Sequence, residues 1–172
     1  MKNLDVINLE MNSISGNFYL PPSLSILKLE HNLISIADVR VILKGLTRLR
    51  KLYLNSNPLG PSLPADIFAV FNNMKYLSME NCDLENIQNG TFRSMQQLQD
   101  LTLSYNKLTH IDKGTLEGLT DNLTILLLDH NRLKTIGDGT FKQFISLERC
   151  SLRYNNLTSV PDLKRLAVSG RV

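Results

Sequence analysis

Leu98-Gln99-Asp100-Leu101-Thr102-Leu103-Ser104-Tyr105-Asn106-Lys107-Leu108 follows the pattern L-x-x-L-x-L-x-x-N-x-L. Its centre alternates, which puts Leu101 and Leu103 on one face of a short strand and Asp100, Thr102 and Ser104 on the other. Asn106 stands where the chain turns off that strand. Its short amide carries donors and an acceptor, and can pair backbone groups that a tight inward turn leaves without partners.

The phrase recurs along the chain, starting at 4, 24, 49, 74, 98, 123 and 147. The asparagine slot holds Asn12, Asn32, Asn57, Cys82, Asn106, Asn131 and Asn155, so the period is 20 once and then 24 or 25. A fixed period of this size means stacked units, each too small to bury its apolar face alone. Residues 1–172 are therefore expected to form one solenoid of seven full repeats. Leu163, Leu166 and Val168 imitate the phrase once more. The segment 163–172 is either a short eighth strand or the start of a cap.

The return paths have their own apolar register. It runs Leu43, Leu46, Leu49; Phe68, Phe71, Met74; Phe92, Met95, Leu98; Leu116, Leu119, Leu123; and Phe141, Phe144, Leu147. Phe68, Phe92 and Phe141 suggest an aromatic spine. Strands stack at about 4.8 Å, whereas bulkier return segments need more room, so the stack should curve with a parallel sheet inside. The fold class is α/β, a horseshoe with the sheet on the concave face and short helices and turns on the convex face. Short helices are expected around Ala37–Leu46 and Ala65–Asn73. Glu85–Met95 and Lys134–Phe144, with Gly90, Gly137 and Gly139, read as turns.

The net charge of +3 hides an asymmetry, with eight basic and three acidic residues after position 130. That basic end suits an acidic partner or an anionic glycan, or is simply a solvated surface. Nucleic-acid binding is not expected, because no recognised motif or aromatic platform accompanies the charge. The start, M-K-N-L-D-V-I-N-L-E, lacks the apolar stretch of a signal peptide, and no segment has membrane length. No direct membrane insertion is expected. Catalysis, metals and cofactors are not expected either. His31 and His130 lie four repeats apart, about 20 Å by strand spacing, and no zinc spacing, phosphate loop or nucleophile elbow occurs.

With the seven phrases laid out, the chain resembles the leucine-rich repeat family over roughly residues 4–163. N-G-T-F at Asn89–Phe92, K-G-T-L at Lys113–Leu116 and D-G-T-F at Asp138–Phe141 are similar to the typical 24-residue subtype. That subtype is common in extracellular animal proteins such as Toll-like receptor ectodomains and innate-immune recognition proteins. The resemblance implies a secreted or cell-surface parent and a protein, glycan or pathogen-derived ligand. Cysteine-rich caps are missing, which favours a segment of a longer protein; the alternative is an intracellular regulator in the cytoplasm. Cys82 and Cys150 fall three repeats apart, about 15 Å by strand spacing, too far for a disulfide, and read as buried free thiols. Sequons at Asn89, Asn122 and Asn156 are consistent with glycosylation.

Binding is expected on the outward strand positions of the concave face. Tyr53 lies diagonal to Tyr76 with Tyr105 further along, and tyrosines on a rigid sheet give large contact area at low entropy cost. Glu10, Glu30, Glu80 and Asp129 form a partial acidic column ending in Arg153, with Arg149 on the same strand and Tyr154 beside it. The expected partner is a protein or glycan ligand. Another leucine-rich repeat chain is the alternative, in a structural scaffold that acts by self-association.

Overall fold

The computed structural model describes residues 3–163. Among them, seven three-residue strands form one parallel sheet: β1 (Val6–Asn8), β2 (Ile26–Lys28), β3 (Lys51–Tyr53), β5 (Tyr76–Ser78), β7 (Asp100–Thr102), β9 (Ile125–Leu127) and β11 (Arg149–Ser151). The register aligns the inward residue of every strand, Ile7 to Leu27, Leu52, Leu77, Leu101, Leu126 and Cys150. Behind the sheet the phrase leucines meet the apolar residues of the return paths in one continuous core. Phe68 and Phe92 stack at 6.4 Å and 13° within it. The eighth phrase expected over 163–172 lies, Leu163 apart, outside the described residues.

The asparagine ladder shows how the turns close. Asn106 donates to the carbonyls of Met79, Leu103 and Ser104 at 2.8–3.2 Å. Its carbonyl accepts the N–H groups of Cys82 and Leu84 at 3.0 and 3.1 Å. One buried amide thus joins two repeats. Asn32, Asn57, Asn131 and Asn155 do the same for their neighbours, whereas Asn12 bonds only the carbonyls of its own turn, Leu9 and Glu10.

Cys82 breaks the ladder on one side only. Its thiol donates to the Leu54 and Glu80 carbonyls at 3.2 Å, but it has no carbonyl to offer the preceding repeat. There the Leu59 N–H turns back to the Asn57 carbonyl at 2.9 Å, and the Gly60 N–H reaches the Cys82 carbonyl at 2.9 Å. Backbone replaces the missing rung. A side chain at Gly60 would collide with the Asp83 carbonyl, so this close approach needs glycine.

The return paths depart from expectation in two ways. The first expected helix forms as α1 (Ile36–Ile42), started by a reciprocal box in which the Asp38 N–H meets Ser35 Oγ and the Ser35 N–H meets Asp38 Oδ2. The second, expected over 65–73, is not a helix. Ile67, Ala69 and Phe71 each donate to the carbonyl three residues back, giving successive turns. Leu63 and Pro64 precede this segment where Ser35 precedes α1, so no local Ser, Thr, Asp or Asn forms a capping box there, and the Ala65 N–H is met instead by Gln88 Oε1 of the next repeat at 3.1 Å. Short parallel pairs also join the return paths, β4 (Ser62–Leu63) with β6 (Asn86–Ile87), and β8 (His110–Ile111) with β10 (Thr135–Ile136). The sequence reading did not name these.

The G-T motifs have a local cause. Thr91 and Thr140 are buried, and each donates its hydroxyl to the carbonyl three residues back, Gln88 at 2.7 Å and Gly137 at 2.6 Å. Thr115 and Asp112 exchange the same kind of bond through the aspartate carboxylate. Hydrogen bonds from Thr115 hold the Asp112 carboxyl below its usual range despite partial burial.

Candidate interaction surface

On the sheet face the outward residues form three columns, one for each outward slot of the phrase. Tyr53 and Tyr76 occupy adjacent strands, with Tyr53 opposite Ser78 and Tyr76 opposite Lys51. Their rings meet on the diagonal, 4.6 Å between centroids and 34° between planes. Lys28 Nζ lies 5.3 Å from the centre of the Tyr53 ring on the other side. Both tyrosines are half-buried against these neighbours, and burial pushes the Tyr76 phenol above its ordinary value. The pair is therefore a fixed aromatic ridge.

The acidic column is one slot further along each strand. Glu10 and Glu30 stand in neighbouring repeats; Asn55 separates them from Glu80, and Ser104 separates Glu80 from Asp129. Asn55 Oδ1 accepts the Ser78 hydroxyl at 2.6 Å and the Glu80 N–H at 2.8 Å. The Ser104 hydroxyl donates to Asp129 Oδ1 at 2.8 Å. Burial raises the Glu30 carboxyl above its usual range, and Glu10 adds to the shift; burial also raises Glu80, with a further push from Asp129. Glu30 Oε2 is shielded from solvent and has no hydrogen-bond partner. Lys28 and His31 offset part of the Glu30 shift, yet none of the four carboxylates on the face forms an ion pair among the described residues.

Arg153 continues this column but leans over the Tyr154 ring at 5.2 Å. Arg149 is exposed on the same strand. Tyr105 does not join Tyr53 and Tyr76. It sits at the strand's exit corner, stacked on His130 at 4.2 Å and 9°, and His130 in turn stacks on Tyr154 at 4.2 Å and 24°. The outer rings are 54% and 64% exposed. The sequence pattern named these three residues separately and pointed to no stack. The missing signal is conformational: Met11, His31, Ser56, Asn81, Tyr105, His130 and Tyr154 all have φ between 51° and 58°. This left-handed corner is unusual outside glycine and asparagine. It turns the same bond vector outward in every repeat, so large side chains there fall into register.

The remaining expected positions are placed as follows. Asn89, Asn122 and Asn156 are exposed; the Asn122 amide donates to the Gln96 carbonyl at 3.0 Å. Cys82 is buried, but Cys150 is only half-buried, a correction that goes with its place on β11, which among the described residues is the last strand of the sheet. Burial pushes the Cys82 thiol to about 12 and the Cys150 thiol to about 11, far from a reactive thiolate. Among the described residues no cluster of three or more His, Cys, Asp or Glu side chains is arranged to hold a metal ion. No helix among them is long and apolar enough to cross a membrane.

A parallel sheet of phrase strands, an asparagine ladder and an open, ridged face define a repeat scaffold of the kind that generally serves protein interaction rather than catalysis. The chain belongs to the leucine-rich repeat family, whose models match residues 72–121 and 121–167, with a further single-repeat match at 48–69. It is 35% identical over 100 residues to podocan-like protein 1 of Homo sapiens, covering 58% of this chain and 19% of that protein. It is 30% identical over 90 residues to chaoptin of Tribolium castaneum, covering 52% and 11%. A third relative is the non-catalytic subunit of Oplophorus-luciferin 2-monooxygenase from Oplophorus gracilirostris, 33% identical over 69 residues, covering 40% and 19%. The matches thus span less than a fifth of these relatives' length. A solved leucine-rich repeat protein of Leptospira interrogans superposes with a TM-score of 0.72 at 28% identity, over 96% of this chain and 40% of its own.

Proposed function

We propose that the chain is a recognition segment of a secreted or cell-surface protein, and that it binds a protein ligand on its sheet face. The observation that carries this reading is the Tyr53–Tyr76 ridge, with Lys28 against Tyr53 and the acidic column of Glu30 and Glu80 beside it. A rigid aromatic pair supplies contact area at little ordering cost, and carboxylates beside it that form no ion pair favour a partner with basic side chains. The Tyr105–His130–Tyr154 stack extends the surface along the strand-exit corner. Exposed sequons at Asn89, Asn122 and Asn156 support the extracellular assignment.

An array of secreted and cell-surface proteins, probed with the wild type and with Tyr53→Ala/Tyr76→Ala, tests the reading. A basic-faced ligand bound by the wild type and lost by the variant supports it. Concentration-dependent dimers of the wild type that the variant abolishes would favour the self-association alternative.

A further inference from the structure

The rim from which the strands start carries a separate feature, independent of the sheet-face reading. A pocket of about 420 Å³ opens there, within the ~300–1,000 Å³ usual for small-ligand sites. Asn3, Ser23, Arg48 and Asn73 line it from equivalent positions of successive repeats. Asp5, Ser25 and Arg50, each directly before β1, β2 and β3, form the second row. Every lining side chain among the described residues is polar.

Three other cations among the described residues find acids one repeat away. Arg40 meets Asp66 at 2.8 Å, Arg93 meets Glu117 at 3.0 Å and Lys107 meets Asp83 at 2.7 Å. Arg48 and Arg50 make no such ion pair and no side-chain hydrogen bond among the described residues, although Asp5 lines the same pocket. Lys75 continues the second row, and between positions 44 and 75 the single acid, Asp66, is already held by Arg40. Two forked guanidiniums are thus left facing a hydroxyl- and amide-lined hollow. Guanidinium forks match sulfate and carboxylate oxygens in paired hydrogen bonds.

We propose that this pocket binds an acidic sugar unit of a sulfated glycan. Arg48 and Arg50 take the sulfate or carboxylate. Asn3 and Asn73 meet sugar hydroxyls, and Ser23, whose own proton goes to the Leu4 carbonyl at 2.6 Å, accepts from one. Asp5 accepts from another and keeps the anionic group on the arginine side. An acidic peptide fits less well, because the described residues of the hollow offer no apolar side chain for a peptide to pack on and Asp5 repels a second carboxylate.

Calorimetric titration with a heparin-derived tetrasaccharide tests the site, using wild type, Arg48→Gln/Arg50→Gln, Arg48→Lys/Arg50→Lys, and the basic-end control Arg132→Gln/Lys134→Gln. All four positions are exposed, and circular dichroism checks that the fold is kept. The glutamine pair is expected to weaken binding about tenfold or more, the lysine pair less, and the control by no more than about twofold. Inorganic sulfate is expected to compete only at far higher concentration. The proposal is overturned if the wild type does not bind, if the control loses as much as the glutamine pair, if free sulfate binds as tightly, or if hexaglutamate binds as well as the tetrasaccharide.

Discussion

The imidazole of His130 lies flat on the phenol ring of Tyr105, 4.2 Å away and 9° from parallel, although a full repeat separates them. Tyr154 covers the other face of His130 at 4.2 Å. Stacked aromatic pairs add about 0.5–1.5 kcal/mol beyond their area, and the exposure of this stack puts it toward the lower end. A double-mutant cycle of Tyr105→Ala and His130→Ala in urea is expected to give a coupling of about 0.5 kcal/mol. His130→Ala should cost more than Tyr154→Ala, despite its smaller ring, because it severs two contacts. Equal costs with zero coupling would mean that the rings are merely adjacent.

The ladder makes a sharper stability prediction. Asn106→Ala leaves the buried N–H groups of Cys82 and Leu84 without their acceptor and frees three carbonyls. The expected loss is about 2–4 kcal/mol. Cys82→Ala, in the same slot one repeat earlier, gives up two weak thiol bonds while the backbone bridge at Leu59 and Gly60 stays. It should cost about 1 kcal/mol or less. Urea midpoints of the two variants check this ordering.

The acidic column is expected to reduce stability at neutral pH. Burial raises the carboxyl groups of Glu30 and Glu80 in the folded state, so the fold holds their protons more tightly than the unfolded chain does. Stability from these groups is therefore present below the ordinary glutamate range and lost as pH rises through the raised values. Glu80→Gln should raise the unfolding free energy at pH 7, by no more than about 1 kcal/mol because the group is partly solvated, and the gain should vanish near pH 4. Asp38 and Asp112, held below their usual range chiefly by bonds from Ser35 and Thr115, act oppositely and lose their contribution only at still lower pH. Melting curves of wild type and Glu80→Gln across this range decide the sign.

The period of the phrase was enough to read the sheet, its register and the inward leucines, because strand alternation and the asparagine slot repeat in one dimension. The diagonal of Tyr53 and Tyr76 followed from the same register. Two things were hidden. The turn run at 65–73 shares its apolar spacing with a helix, but lacks the local capping box that starts α1 at Ser35 and Asp38. The aromatic stack depends on a left-handed corner at Tyr105, His130 and Tyr154 that no residue type there announces. Local backbone geometry, invisible in hydrophobic pattern, decides both.

The central claim is that the sheet face, not the outer surface, engages the partner. The most direct test is the dissociation constant of an array-selected ligand for Tyr53→Ala/Tyr76→Ala against Arg93→Ala/Glu117→Ala, an ion pair on the return side. The account predicts a loss of about thirtyfold or more for the tyrosine pair, about 2 kcal/mol, and little change for the return-side pair. Unchanged affinity in the tyrosine variant with loss in the return-side variant would contradict it.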